Sequence, residues 1–306
     1  MHPTFASIFS AVLLSTIAVH GGTVVVEKET NPCPPDPRLV LEFGSSYVFE
    51  SDFERGHHAS GDAWSTSFRL GYRIPFNGPD WSDMDCSQWY VRFGLDYSRY
   101  DFDNSGGLPI PNTLQSASAI FAIEYLVHGR PAILIEALPG LYFEHDIDAD
   151  TFDMPARIAW AFKITNNVYA VAGASYAGFR KYPVLPIVGV QWQINDAWTL
   201  SLIPPDPRII YSPAKEWEFW VGGEITGGAF RTDSREVERN ENLSNAVVTY
   251  TEYRAGLGFT YTKPGWRVEV GAGYAFQREF DYHRAEERFK TDEGAPYLRA
   301  ELQLNF

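Results

Sequence analysis

From Arg38 to the carboxyl terminus the chain repeats one pattern, about ten residues of alternating apolar and polar side chains followed by a turn, the period-two signature of β-strands. The last stretch, 297–306 (YLRAELQLNF), is the clearest. Leu298, Ala300, Leu302, Leu304 and Phe306 fall on one face, and Tyr297, Arg299, Glu301, Gln303 and Asn305 on the other. Alternation alone does not choose a solvent, because a soluble sandwich alternates too.

The two faces differ in a way that does choose. Trp266, Val268, Val270, Ala272, Tyr274 and Phe276 oppose Arg267, Glu269, Gly271, Gly273 and Gln277. Tyr253, Ala255, Leu257, Phe259 and Tyr261 oppose Glu252, Arg254, Gly256, Gly258 and Thr260, and Phe68, Leu70, Tyr72 and Ile74 oppose Arg69, Gly71 and Arg73. Trp89, Val91, Phe93, Leu95 and Tyr97 oppose Tyr90, Arg92, Gly94, Asp96 and Ser98. One face is large and aromatic; the other mixes glycine, small polar groups and charges of both signs. Trp64, Trp89, Trp198, Trp217, Tyr261 and Trp266 stand near strand ends, where an interfacial aromatic girdle belongs. Glycines on the polar face leave room for side chains from the opposite wall, although glycine weakens an isolated strand. On this pattern Gly258→Ser is expected to be mild and Leu257→Arg disruptive. The expected fold is all-β, a transmembrane antiparallel up-and-down β-barrel with lipid outside and a polar interior.

Connections supply a second test, since such barrels alternate short turns on one side with longer loops on the other. The candidate exterior loops are 51–61, 103–111, 146–154, 179–183, 204–207, 231–245 and 281–294. The opposite connections are tight at 128–131, 165–167, 195–197, 212–216 and 262–265, and only 76–87 is long. Reading 198–211 as one strand would give an odd count and place the termini on opposite sides. Pro204, Pro205 and Pro207 cannot donate to a sheet ladder, which favours a hairpin there. The total is then about 14 strands over 38–306. A bulged single strand, with another hairpin merged to give 12, is the alternative.

The amino terminus carries the chain's one apolar run of consequence, Ile8 to Val19, followed by His20, Gly21 and Gly22. Too short to span a bilayer, it reads as the core of a signal peptide over 1–21, with a periplasmic tail over 22–37. Cys33 and Cys86 are the only two cysteines. In an exported chain they are candidates for a disulfide, with two unrelated thiols as the other reading; an even strand count puts both on the periplasmic side. A net charge of −14 without a basic stripe argues against nucleic acid as a partner.

The terminal LRAELQLNF resembles the signal by which assembly machinery recognises outer-membrane proteins, with Leu302, Leu304 and Phe306 as its apolar positions. A second stretch, PIVGVQWQINDAWTLSLIPPDPRIIYSPAKEW from Pro186 to Trp217, resembles the recurrent segment of an uncharacterised family of exported bacterial barrel proteins, on Gly189, Trp198, Pro204 and Tyr211. These resemblances imply location in the outer membrane of a Gram-negative cell. Lipid, lipopolysaccharide and the barrel-assembly machinery are the implied partners, and no catalytic chemistry is implied.

An outer-membrane hydrolase would need a base beside a nucleophile; His145 with Ser175 or Ser60 is the nearest candidate, and no nucleophile motif accompanies it. Asp146, Asp148 and Asp150 alternate in a loop in a way that invites a calcium reading, but an EF-hand requires Gly where Thr151 stands and Glu where Arg157 stands. Apart from that loose cation reading, no catalytic, cofactor or metal residue is assigned. Glu42, Arg69, Arg73, Arg92, Asp96, Glu124, Glu136, Arg157, Lys163, Glu218, Glu224, Glu252, Arg254, Arg267, Glu269, Arg299 and Glu301 are expected to face the lumen. Such a set lines an aqueous path or cross-links into a plug. About 14 strands leave a narrow or partly filled interior. The functions in view are a narrow passive or substrate-selective channel for a small-molecule solute, a non-conducting structural or adhesive barrel, and, behind both, a lipid-modifying enzyme.

Overall fold

The computed structural model describes residues 38–53, 60–76, 87–103, 108–127, 130–234 and 243–306. The expected leader, the tail, and both Cys33 and Cys86 lie outside them. The described chain forms one antiparallel sheet of 17 hydrogen-bonded segments. These make fourteen spanning strands, because three strands are each interrupted once.

The first four strands are long: β1 (Leu39–Asp52), β2 (Ser60–Phe76), β3 (Ser87–Phe102) and β4 (Thr113–Val127). β5 is Arg130–Ala137 continued by Gly140–Phe143, and β6 is Phe152–Asp153 continued by Ala156–Thr165. Then come β7 (Val168–Tyr176), β8 (Val184–Gln193), β9 (Trp198–Ser201) and β10 (Arg208–Ala214). Length returns with β11 (Trp217–Arg231), β12 (Val247–Lys263) and β13 (Trp266–Tyr282), and β14 is Glu287–Lys290 continued by Ala295–Asn305. β1 pairs with β14 from Val40↔Asn305 to Val48↔Tyr297, which closes the cylinder. The two chain ends of the barrel meet there: Arg38 N and Leu39 N donate to Phe306 O, and Phe306 N donates to Leu39 O.

Proline explains two of the three interruptions. β5 breaks at Pro139 and β6 at Pro155, where the missing N–H removes a donor but leaves a carbonyl. Ala119 N still donates to Pro139 O at 3.0 Å, and Leu138 N to Pro155 O at 2.7 Å. The segment 202–207 behaves likewise. β9 and β10 are a separate hairpin paired from Trp198↔Tyr211 to Ser201↔Arg208, not the single bulged strand of the 12-strand alternative. Ile225 N donates to Pro205 O and Gly223 N to Pro207 O, while Leu202 N donates to Val190 O, so the wall stays joined on both sides although the prolines only accept. One expected loop is shorter than read from sequence. Glu287–Lys290, inside the candidate loop 281–294, pairs with β13.

Outward faces are apolar throughout, as shown by Leu257 (64% exposed), Val188 (69%) and Trp160 (59%). Cross-strand aromatic pairs ring the end that holds the chain termini: Phe76↔Trp89↔Tyr125, Trp198↔Tyr211 and Trp217↔Tyr261. A closed sheet with this exterior satisfies its backbone internally and presents only hydrocarbon-compatible surface, so it is an outer-membrane β-barrel.

The cylinder is lopsided. β6–β10 are short and the other strands tall, and above the short wall the tips of β5 and β11 meet in a parallel bridge, Phe143↔Arg231, although they are not neighbours around the barrel. Beneath this pinch, at the end far from the termini, lies an apolar plug. Phe53, Tyr100, Phe102, Phe230, Tyr250 and Phe280 are all buried there. Phe102 lies 4.7 Å from Tyr250 and 4.9 Å from Phe280, in edge-on geometry.

Candidate functional site: the lumen

Alternation turns every second residue of each strand inward, and cross-strand register then sets the inward residues in layers. On β1–β4 one layer reads Glu42↔Arg69↔Asp96↔Ser118, and the next, nearer the plug, Gly44↔Ser67↔Ser98↔Ser116. Below the plug the lumen is therefore polar, with hydroxyls above charges.

The charges are held in two networks on facing walls. On β2–β6, Arg69 binds Asp96 at 2.7 Å, Arg73 and Arg92 reach Glu124 at 2.8 and 3.0 Å, and Glu136 takes Arg92 and, at 3.0 Å, Arg157. On β10–β14 the hub is Glu269, buried, which accepts from Arg208 and Arg267 at 2.9 Å each, from Arg299, and from Thr260 Oγ1 at 3.1 Å. Glu224 joins Arg299 at 2.9 Å and Arg254 at 3.8 Å, and Arg254 also pairs with Glu252. Buried pairs of this kind offset their desolvation only when geometry and added hydrogen bonds are good, so they fix the shape of the lumen more than they stabilise the fold. Among the remaining inward-assigned charges, Glu218 is buried, Lys163 is exposed, and Glu42 and Glu301 line the central cavity. Leu302 and Phe306 face outward at the barrel's terminal end.

Alternation did not assign Arg208, Trp220 or Asp206 to the lumen. Arg208 and Arg299 clamp the ring of Trp220, their guanidinium carbons 4.2 and 4.8 Å from its centroid. Trp220 lies on a platform of glycines: a Cβ at Gly258 would fall 2.5 Å from the ring, and one at Gly271 would fall 2.8 Å from it. Gly258→Ser should therefore not be mild, because that Cβ would also collide with the Val270 carbonyl. The third is Asp206, bound to Arg208 at 2.5 Å; burial raises its carboxyl pKa despite the guanidinium. A signal was present for Trp220, which is in phase with Glu218 and Glu224. The plug aromatics likewise continue polar faces, Tyr100 that of Asp96 and Ser98, and Tyr250 that of Glu252.

Between the networks is a cavity of about 180 Å³, bounded toward the plug by Tyr100 and Phe230. Five arginines (69, 180, 254, 267, 299) and six carboxylates (Glu42, Asp96, Asp153, Glu224, Glu269, Glu301) line it, so it is close to electroneutral. At its edge Arg180, in the 177–183 loop, is brought down to about 10 by burial, against the pull of Asp153.

The structure does not assemble the hydrolase candidates. Ser60 donates to Glu50, Ser175 accepts from Arg180 at 3.2 Å, and the imidazole of His145 meets Asp233 at 3.1 Å. Asp148 instead caps the short 3₁₀ turn Ala149–Thr151, accepting from Asp150 N at 2.9 Å.

Fold and lumen together define an outer-membrane barrel with a partly filled polar interior. The chain belongs to the family described as a domain of unknown function, DUF6268, which matches residues 40–305. No curated protein matches it. Among solved structures it is similar to an outer-membrane channel from Pseudomonas putida F1, with 11% identity, 91% of this chain and 99% of that one covered, and a TM-score of 0.44. It is also similar to the P. putida toluene transporter TodX, at 10% identity over 90% and 93% of the chains and a TM-score of 0.39. Pseudomonas putida OprB gives 10% identity over 89% and 94% and a TM-score of 0.35.

Proposed function

We propose that this barrel is a narrow, substrate-selective channel for small uncharged or zwitterionic solutes, closed along its axis at rest by the aromatic plug. The cavity carries the reading: its charges nearly balance and several are paired with one another, which gives an ion little net attraction and offers a small polar solute many hydrogen-bonding groups. In this reading the plug end faces the exterior, surrounded by lipopolysaccharide, and Leu302, Leu304 and Phe306 serve as the signal to the assembly machinery. In this reading the lumen passes solutes and performs no chemistry on them. The plug itself favours a second reading, a non-conducting structural barrel.

Planar bilayers separate the two. The wild-type protein should show little steady conductance, and Phe102→Ala with Phe280→Ala should produce discrete steps, provided gel mobility without heating shows the variant folded. A folded double variant that stays silent over many insertions would sink the channel. Liposome swelling with sugars against salts then reads the selectivity.

A further inference from the structure

The pinch above the short wall is fastened by three side chains that the channel reading does not use. Glu144 and His145 follow the last residue of β5, and Asp233 stands two residues beyond the end of β11. Their ligand atoms, two carboxylate oxygens and an imidazole nitrogen, all lie within 4.8 Å of one another. Backbone amides orient both carboxylates. Glu144 Oε2 accepts from Asp233 N at 3.0 Å, and Asp233 Oδ1 accepts from His145 N at 3.1 Å and Asp146 N at 2.9 Å. That leaves Asp233 Oδ2 turned toward His145 Nδ1, 3.1 Å away. Glu144 is only 4% exposed, so its charge sits where a cation is worth most, while the imidazole stays open to solvent as an entry side.

We propose that Glu144, His145 and Asp233 bind a divalent transition-metal ion, which clasps β5 to β11 across the mouth of the barrel. One nitrogen and two oxygen donors suit zinc or manganese, with water completing the shell. Calcium would want six to eight oxygens and gains little from an imidazole. Amide anchoring of each carboxylate by the opposite loop is the outer-shell support that metal ligands require. The site joins two strands that otherwise meet only at the single bridge Phe143↔Arg231, so its occupancy bears on the mouth whatever crosses the lumen.

The test uses the full mature chain, untagged, folded in detergent micelles and stripped with chelator. Stoichiometric Zn²⁺ should raise the thermal unfolding midpoint followed by tryptophan fluorescence, with Ca²⁺ and Mg²⁺ at the same concentration doing much less. By calorimetry His145→Ala and Asp233→Asn should each weaken Zn²⁺ binding about tenfold or more. The His145 side chain is exposed, so that variant folds and decides the matter if Asp233→Asn does not. The proposal is overturned by no Zn²⁺ stabilisation of the wild type, by equal stabilisation of His145→Ala, or by Ca²⁺ acting as strongly as Zn²⁺. None of these outcomes bears on bilayer conductance, so the channel reading stands or falls separately.

Discussion

At the scale of residues, adjacent positions on β12 have opposite surroundings. Leu257 points into lipid and Gly258 under the Trp220 ring. Leu257→Arg should destabilise by roughly 2–4 kcal/mol if it lies near mid-depth. Gly258→Ser should cost a comparable amount, of order 1–3 kcal/mol, because overpacking forces the Trp220 ring out from between Arg208 and Arg299. Urea titration of both variants in lipid vesicles checks this, and a neutral Gly258→Ser would contradict the platform. Which face a residue takes was legible from period-two alternation. What stands opposite a lumen glycine was not, because the ring that fills that space belongs to a different strand and no local pattern names it. Trp220 was partly readable from its phase with Glu218 and Glu224. Its two arginine clamps come from β10 and β14 and depend on closure.

Elements show the same division. The hairpin at 202–207 was readable, since three prolines forbid donors, and parity required a turn there. The retention of Pro205 and Pro207 as ladder acceptors to β11 was not readable, because it depends on where the neighbouring strand stands. Similarly, the sequence marks 281–294 as polar and loop-like, yet tertiary pairing with β13 draws Glu287–Lys290 into the sheet. Closure by β14 is both local and global. Phe306, the residue after β14, contributes three backbone hydrogen bonds with Arg38 and Leu39, each worth about 0.5–1.5 kcal/mol net. Deleting Phe306 should therefore leave β1 unzipped at the terminal end. The fraction of unheated protein that migrates as compact barrel on a gel should fall, and refolding into vesicles should slow. Unchanged mobility and rate would show that the seam closes without its last residue.

On the scale of the whole molecule, the tall and short walls make the far end a joint between β5 and β11, and one carboxylate dominates that joint. Asp233 is partly buried, which raises its pKa, but the amides of Asp146 and His145 and the imidazole outweigh burial and hold it below its ordinary value. A carboxyl whose folded pKa is depressed contributes its stability fully above the unfolded value, about 3.9, and loses it as pH falls through the lower folded value. The surrounding groups are the buried Glu144 and the His145 ring, with Asp101 on β3 within electrostatic reach of His145 and Arg231 paired to Asp150 at 3.5 Å. The joint should accordingly hold from neutral pH to about pH 4 and open below that. Hydrogen exchange at the His145 and Asp146 amides reads it directly: corrected for intrinsic rate, protection should drop on acidification below about pH 4, while amides of the β1–β14 seam stay protected. In Asp233→Asn the drop should vanish, because the amide side chain does not titrate. Protection that persists to pH 2.5, or the same acid release in Asp233→Asn, would mean that the bridge Phe143↔Arg231 and the plug beneath it keep the mouth shut without Asp233.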